Sequence, residues 1–283
     1  MSISQLPRLL LLVSLATIPS GSGQGQGVGA DGNARQQPEA SISLIPVGPR
    51  SATVWEGEGD SRRPVAVDPN ALPPRFFSIR EGKEFRRLAT SLNRPMQPIR
   101  TGSGNLGIYI QATDDPRSEA RILTKVAIPP EGVHYDVFLT RANEEEDWAN
   151  CTSMPIPSSV QHFPKGNVRL VNISGFKTAA LVNGKRFDIG AGKHTLAPIK
   201  QEKLTIKCAY QDEKEWHLVM DTIIGHESEA RITVVIYPTR NPSRPCELSF
   251  FHQPDNESIL QQQDESRKRG VDHTSDTQGS PSR

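Results

Sequence analysis

The sequence predicts an all-β protein of two tandem β-sandwich units, set between a disordered N-terminal leader and a disordered, polar C-terminal tail. Three observations predict it. The middle of the chain is a series of short runs alternating apolar and polar residues, separated by Gly, Pro, Asn and Asp. Aromatics are 6% of the 283 residues and prolines number 23, which favours strands and turns over long helices. The order of runs in the first half is met again in the second, as an internal repeat would give.

Lys and Arg total 33 against 32 Asp and Glu, a formal charge of +1. That balance gives no electrostatic case for a nucleic-acid partner or an anionic membrane surface. Residues 1–23 read as a signal peptide. Arg8 supplies the positive start, Leu9 to Ile18 the apolar stretch, Pro19 its end, and Ser20-Gly21-Ser22-Gly23 the small residues for cleavage. The stretch is shorter than the roughly 20 residues a membrane helix needs, so no transmembrane segment is expected after cleavage. Residues 24–39 are Gly/Gln-rich and read as a flexible leader.

Unit 1 is expected over 40–141 and unit 2 over 166–252. The clearest strands lie in unit 2. Val168 to Ile173 alternates with period two, and Thr178 to Val182 follows. Asn183-Gly184 then supplies the positive-φ pair of a type I′ hairpin, with Lys185 to Ile189 as the return strand. Lys193 to Leu196, Lys203 to Cys208, Glu215 to Ile224, Ala230 to Tyr237 and Glu247 to Phe251 complete the set. In unit 1, Ile42 to Val47 corresponds to Val168 to Ile173, Ala52 to Trp55 to Ala179 to Val182, and Pro64 to Val67 to the return strand. Arg75 to Ile79 corresponds to the strand after it. Asn105 to Ile110 lies over Lys203 to Cys208, Ile122 to Ile128 over Met220 to Ile224, and Val133 to Leu139 over Ile232 to Pro238. The offset is about 126 residues early and about 98 late, which places the extra residues of unit 1 around Glu81 to Thr101. Residues 142–165, with Pro155, Pro157 and Pro164, read as an extended connector. Residues 253–283 read as a disordered polar tail in which only Ile259 and Leu260 have the means to pack.

The run Val168-Arg169-Leu170-Val171-Asn172-Ile173-Ser174, the Asn183-Gly184 hairpin and Gly190-Ala191-Gly192-Lys193-His194-Thr195 resemble small β-sandwich domains of unknown function in exported bacterial proteins. The resemblance covers about 30 residues. It implies an immunoglobulin-like architecture for the two tandem units and an exported location, and it carries no catalytic residue.

Candidate chemistry is sparse. There are three cysteines, and export permits a disulfide. Cys208 and Cys246, on the apolar parity of their strands, are the expected pair. His217, Asp221 and His226 form the best metal-like constellation, with His217 and Asp221 on one face of a strand by their even spacing, but nothing fixes their convergence and they read as polar strand residues facing water, so no metal is expected. Glu144 to Asp147 lacks the spacing of a calcium loop. Ser103 lies in a Gly-rich turn without the strand–turn–helix context of a nucleophile. Asn150, Asn172 and Asn256 begin N-glycosylation sequons. No cofactor is expected. The expectation for function is a non-enzymatic structural or protein-binding role, in the periplasm or outside the cell, with an unidentified protein or envelope component as partner. Loop residues Trp55, Trp148 and Phe163 are the candidate contacts. The alternative is a hydrolase or carbohydrate-active protein whose carboxylates converge only in three dimensions, with Asp114, Asp115, Asp212 and Glu213 as candidates.

Overall fold

A computed structural model describes residues 40–49, 55–56, 63–64, 72–81, 84–101, 104–111, 120–129, 133–141, 148, 150–200, 203–227, 229–239 and 241–275. The expected signal peptide and leader, Ser103, Asp114, Asp115 and Glu144 to Asp147 lie outside these residues. So does the side chain of Trp55.

The fold is mostly β. Its first half contains β1 (Ala40–Pro46), β2 (Trp55–Glu56), β3 (Arg63–Pro64), β4 (Phe76–Glu81), β5 (Glu84–Ala89), β6 (Ile99–Thr101), β7 (Gly104–Gln111), β8 (Ala120–Ile128), β9 (His134–Arg141) and β10 (Cys151–Pro157). The second contains β11 (Asn167–Asn172), β12 (Lys177–Val182), β13 (Lys185–Ile189), β14 (Lys193–Pro198), β15 (Lys203–Asp212), β16 (Glu215–Gly225), β17 (Arg231–Pro238) and β18 (Cys246–His252), followed by a helix, α1 (Asn256–Ser275). The sheets of the first half run β10-β9-β1-β6 and β5-β4-β7-β8; those of the second run β14-β11-β17-β18 and β13-β12-β15-β16. β2 and β3 form a separate ribbon.

The pairing senses match between the halves. β1 pairs antiparallel with β6 and parallel with β9, while β11 pairs antiparallel with β14 and parallel with β17. Ile45 opposes Phe138 as Val171 opposes Val235. One bulge falls between Ile108 and Tyr109, the other between Cys208 and Ala209. β4 and β5 therefore occupy the places of β12 and β13. The sequence assignment of those places to Ala52–Trp55 and Pro64–Val67 is corrected. The extra length of the first half lies in residues 47–75, ahead of β4, where residues 173–176 suffice ahead of β12.

Three apolar clusters explain why these runs are strands. Ile42, Leu44, Phe77, Ile79, Ile108 and Val137 fill the space between the two sheets of the first half. Val168, Leu170, Ala180, Ile206, Cys208 and Val234 do so in the second. A third cluster joins the halves through the opposite faces of β1, β9, β11 and β17: Ile45, Val47, Phe138, Ile156, Val171, Val235, Tyr237 and Phe251. Those four strands are thus covered on both faces. The double cover suits their parallel pairing, and in β17 it gives the near-continuous apolar run Val234-Val235-Ile236.

Two segments depart from expectation. The connector is largely a strand: β10 pairs with β9 along its whole length, and as an edge strand it tolerates Pro155 and Pro157. The polar tail contains α1, whose Leu260 is buried. Asp264 of α1 pairs with Arg100 on β6, and Gln263 Nε2 donates to the Pro98 carbonyl at 3.4 Å. The Asn183-Gly184 turn is as expected, with φ of 48° and 82°. No helix among the described residues is long and apolar enough to cross a membrane.

Candidate functional site

Where the halves meet, the alternation of four strands brings charged residues inward. Arg169 on β11 shares the inter-half face with Val171, and Asp136 on β9 shares it with Phe138. Arg169 is 1% exposed and Asp136 is fully buried. Arg169 Nη2 donates to Asp136 Oδ2, to Thr233 Oγ1 at 3.1 Å and to Gln253 Oε1 at 3.4 Å. Ser158 Oγ donates to Asp136 Oδ2 at 2.5 Å and Gln253 Nε2 to Oδ1 at 3.0 Å. Burial alone would push the Asp136 carboxyl up. The Arg169 guanidinium, His134 and the Ser158 hydroxyl outweigh it and hold the group far below the usual carboxylate range. Among the described residues, Arg169 Nε and Nη1 have no hydrogen-bond partner. The guanidinium instead faces Phe163 at 4.5 Å and Phe138 at 5.7 Å.

Beside this pair, His134 Nδ1 lies 2.9 Å from Ser41 Oγ, and Nε2 lies 3.5 Å from Asp136 Oδ1. The order Ser–His–Asp suggests a nucleophile relay. Asn256 Nδ2 stands 2.7 Å from Nε2. Ser41 and His134 are both buried, which closes the pair to a substrate. The trio ties β1, β9 and α1 together.

A cleft of about 710 Å³ opens over the edge of this cluster. Its lining comes from the approach to β11 (Val160, Lys165), the β16–β17 turn (His226, Glu227, Glu229), Arg231 at the head of β17, and His252, Gln253 and Asp255. Gln253 belongs to both cluster and cleft. Arg231 Nη2 donates to the Pro254 carbonyl at 2.9 Å and Nη1 to that of Ser158 at 3.5 Å. Lys165 and Glu229 pair at 2.9 Å, which lowers the Glu229 carboxyl. Burial would raise Asp255, but hydrogen bonds from Ser258 and the charge of Arg231 bring it below its usual value. Neither carboxylate is poised as a general acid. His226 Nδ1 donates to the Glu227 carbonyl at 2.7 Å, which leaves Nε2 as the lone-pair nitrogen.

Neither a protein-family model nor a curated protein matches the chain. The site is thus read from its geometry.

The residues expected from sequence are placed differently. Cys208 and Cys246 share one core cluster as free, buried thiols, so they are not a disulfide here. Burial pushes the Cys208 thiol up to about 12. Trp148 packs against Phe77 and Phe163 is fully buried, so both are core residues and neither is a surface contact. His217 opposes and stacks on Tyr210, at a ring distance of 5.1 Å, while Asp221 opposes and pairs with Lys207. The bulge between them breaks the even spacing and turns the two to opposite faces. No group of His, Cys, Asp and Glu among the described residues is arranged to hold a metal. Asp212 ends β15, and Glu213, at φ 48°, opens the β15–β16 turn. Asn172 and Asn256 are buried, so two of the three sequons are no acceptors in the folded chain. The Arg169–Asp136 cluster was missed because a lone Arg in an alternating run reads as the solvent side.

Proposed function

We propose that the chain is an exported, non-enzymatic binding protein, built from two immunoglobulin-like β-sandwich units that arose by duplication. The matching strand order, pairing senses and bulges support the duplication. The N-terminal Arg8, apolar run and small residues support export. One observation carries the binding role: the outer face of β13-β12-β15-β16. By register, Leu181, Lys207 and Asp221 line up across it, as do Ala179, Ala209 and Leu218, with Ile223 and Trp216 on the same side. Leu218 is 63% and Ile223 65% exposed, with Leu181 and Trp216 also open to solvent. Paired charges border them, Arg186 with Asp188 and Lys207 with Asp221. An apolar centre with a polar border is the anatomy of a protein interface. The hydrolase alternative lacks support in the cleft, where Glu229 and Asp255 are held as anions.

The test is photo-crosslinking from position 218 of the full chain, expressed in its own host. A discrete adduct that Ile223→Lys abolishes is the expected result. An intact, exported chain that yields no adduct would remove the reading. Export is checked by the mass of the mature chain, expected to begin near residue 24.

A further inference from the structure

The geometry points to the Arg231 cleft as a site for a small zwitterionic ligand, a free amino acid or short peptide, whose carboxylate meets Arg231 and whose ammonium meets the acidic rim. The inference goes beyond the binding reading above and concerns a different site.

The argument begins with charge. Arg231 is 7% exposed, and among the described residues it makes no ion pair. Its hydrogen bonds go to two backbone carbonyls, those of Pro254 and Ser158. The neighbouring buried guanidinium, Arg169, already has Asp136 as counter-ion. Asp255 is near enough for the charge of Arg231 to lower its carboxyl, but no direct ion pair joins the two. Arg169 and Arg231 also share one aromatic face, with Phe163 lying 4.5 Å from the first and 5.8 Å from the second. A largely buried guanidinium without a direct ion pair is costly, and a ligand carboxylate supplies that contact with bidentate geometry.

The rim carries the opposite sign. Glu227, Glu229 and Asp255 all line the cleft. Two of them are engaged: Glu229 by Lys165, and Asp255 by the N–H and hydroxyl of Ser258 at the start of α1. Glu227 is exposed, and its own carbonyl fixes the neighbouring His226. A simple anion would meet these carboxylates at the mouth. A simple cation would find no partner at Arg231. An uncharged molecule would leave Arg231 unpaired. A ligand charged at both ends satisfies Arg231 and rim together, and the cleft, at about 710 Å³, has room for a short peptide.

The test uses the full chain and three probes in titration calorimetry at low salt: triglycine, its N-acetyl form and its C-terminal amide. Triglycine is expected to bind, with each blocked form weaker by about tenfold or more, the loss expected for one charge-assisted contact. Arg231→Gln is expected to abolish discrimination against the amide. Because Arg231 also holds two carbonyls, a second variant guards against simple misfolding. Glu227→Gln with Glu229→Gln changes only exposed side chains, and is expected to weaken triglycine about tenfold while leaving the N-acetyl form unchanged. Equal binding of all three probes, or no heat from triglycine at about 10 mM, overturns the proposal. If that happens while the position-218 crosslink still forms, the binding role stands and only the ligand assignment falls.

Discussion

Asp136 shows how one side chain serves the fold. It is the counter-ion of a guanidinium sealed between the halves, and it also receives Ser158 and Gln253. Asp136→Asn leaves Arg169 buried and unpaired, and is expected to cost about 3–5 kcal/mol in urea unfolding. Asp136→Leu with Arg169→Met removes both charges and is expected to recover most of that loss. A double variant as unstable as the single would show that the pair, and not the uncompensated charge, carries the energy. The carboxyl titrates lower in the folded chain than its unfolded value near 4, so its contribution is complete above that value and is lost as pH falls below it. Unfolding free energy should therefore drop between about pH 4 and pH 2, and drop less in Asp136→Asn. Cys208 behaves in the opposite sense. Its folded pKa, about 12, exceeds the unfolded value of about 8.5, so its contribution is complete below about 8.5 and is lost as pH rises above it. At pH 8 the native thiol should resist iodoacetamide, and in urea it should react.

Strands covered on one face or on both were legible, as Lys203 to Cys208 and Ala230 to Tyr237 show, because each carries the apolar residues its burial needs. β15 alternates cleanly because Leu204, Ile206 and Cys208 face the core and Lys203, Thr205 and Lys207 face away. The β12–β13 turn was legible because Asn-Gly has few alternatives at positive φ. β10 was hidden by its prolines, which a sheet edge accepts. The separation of His217 from Asp221 was hidden by a bulge, which no alternation rule foresees. That bulge also shields β16: Arg244 Nη2 donates to the Val219 carbonyl at 3.0 Å, covering a backbone acceptor along the free edge. α1 was hidden by composition. Its side chains are mostly polar, and its place depends on Leu260 and on contacts with β6 and His134 that are remote in sequence. Leu260→Ala is expected to loosen α1 by about 2 kcal/mol, the lower end for a buried leucine. Hydrogen exchange should then quicken in α1 and β6 while β17 keeps its protection. Faster exchange throughout the chain would mean that α1 belongs to the main cooperative unit.

At the scale of the whole molecule, the surface between the halves differs in kind from the surface proposed to bind. On the outer face of β13-β12-β15-β16, Leu218 and Ile223 are largely open to solvent, so changing either to Lys should alter stability by no more than about 0.5 kcal/mol, while Ile223→Lys removes the crosslink from position 218. The inner surface behaves like a subunit interface. Ile45, Phe138 and Ile156 from one half meet Val171, Val235 and Phe251 from the other, with the Arg169–Asp136 pair beside them. Equivalent strands meet equivalent strands, as they do across a two-fold dimer interface. Residues 40–157 and 158–275, produced as separate chains, should therefore recombine into a one-to-one complex, seen by light scattering on a sizing column. Either chain alone would expose an apolar face and self-associate through it. Val235→Asp in the second chain should prevent recombination, because it places an unpaired charge against Phe138 and Val171. Two well-behaved monomers that ignore each other would show that the join between the halves is incidental to the fold.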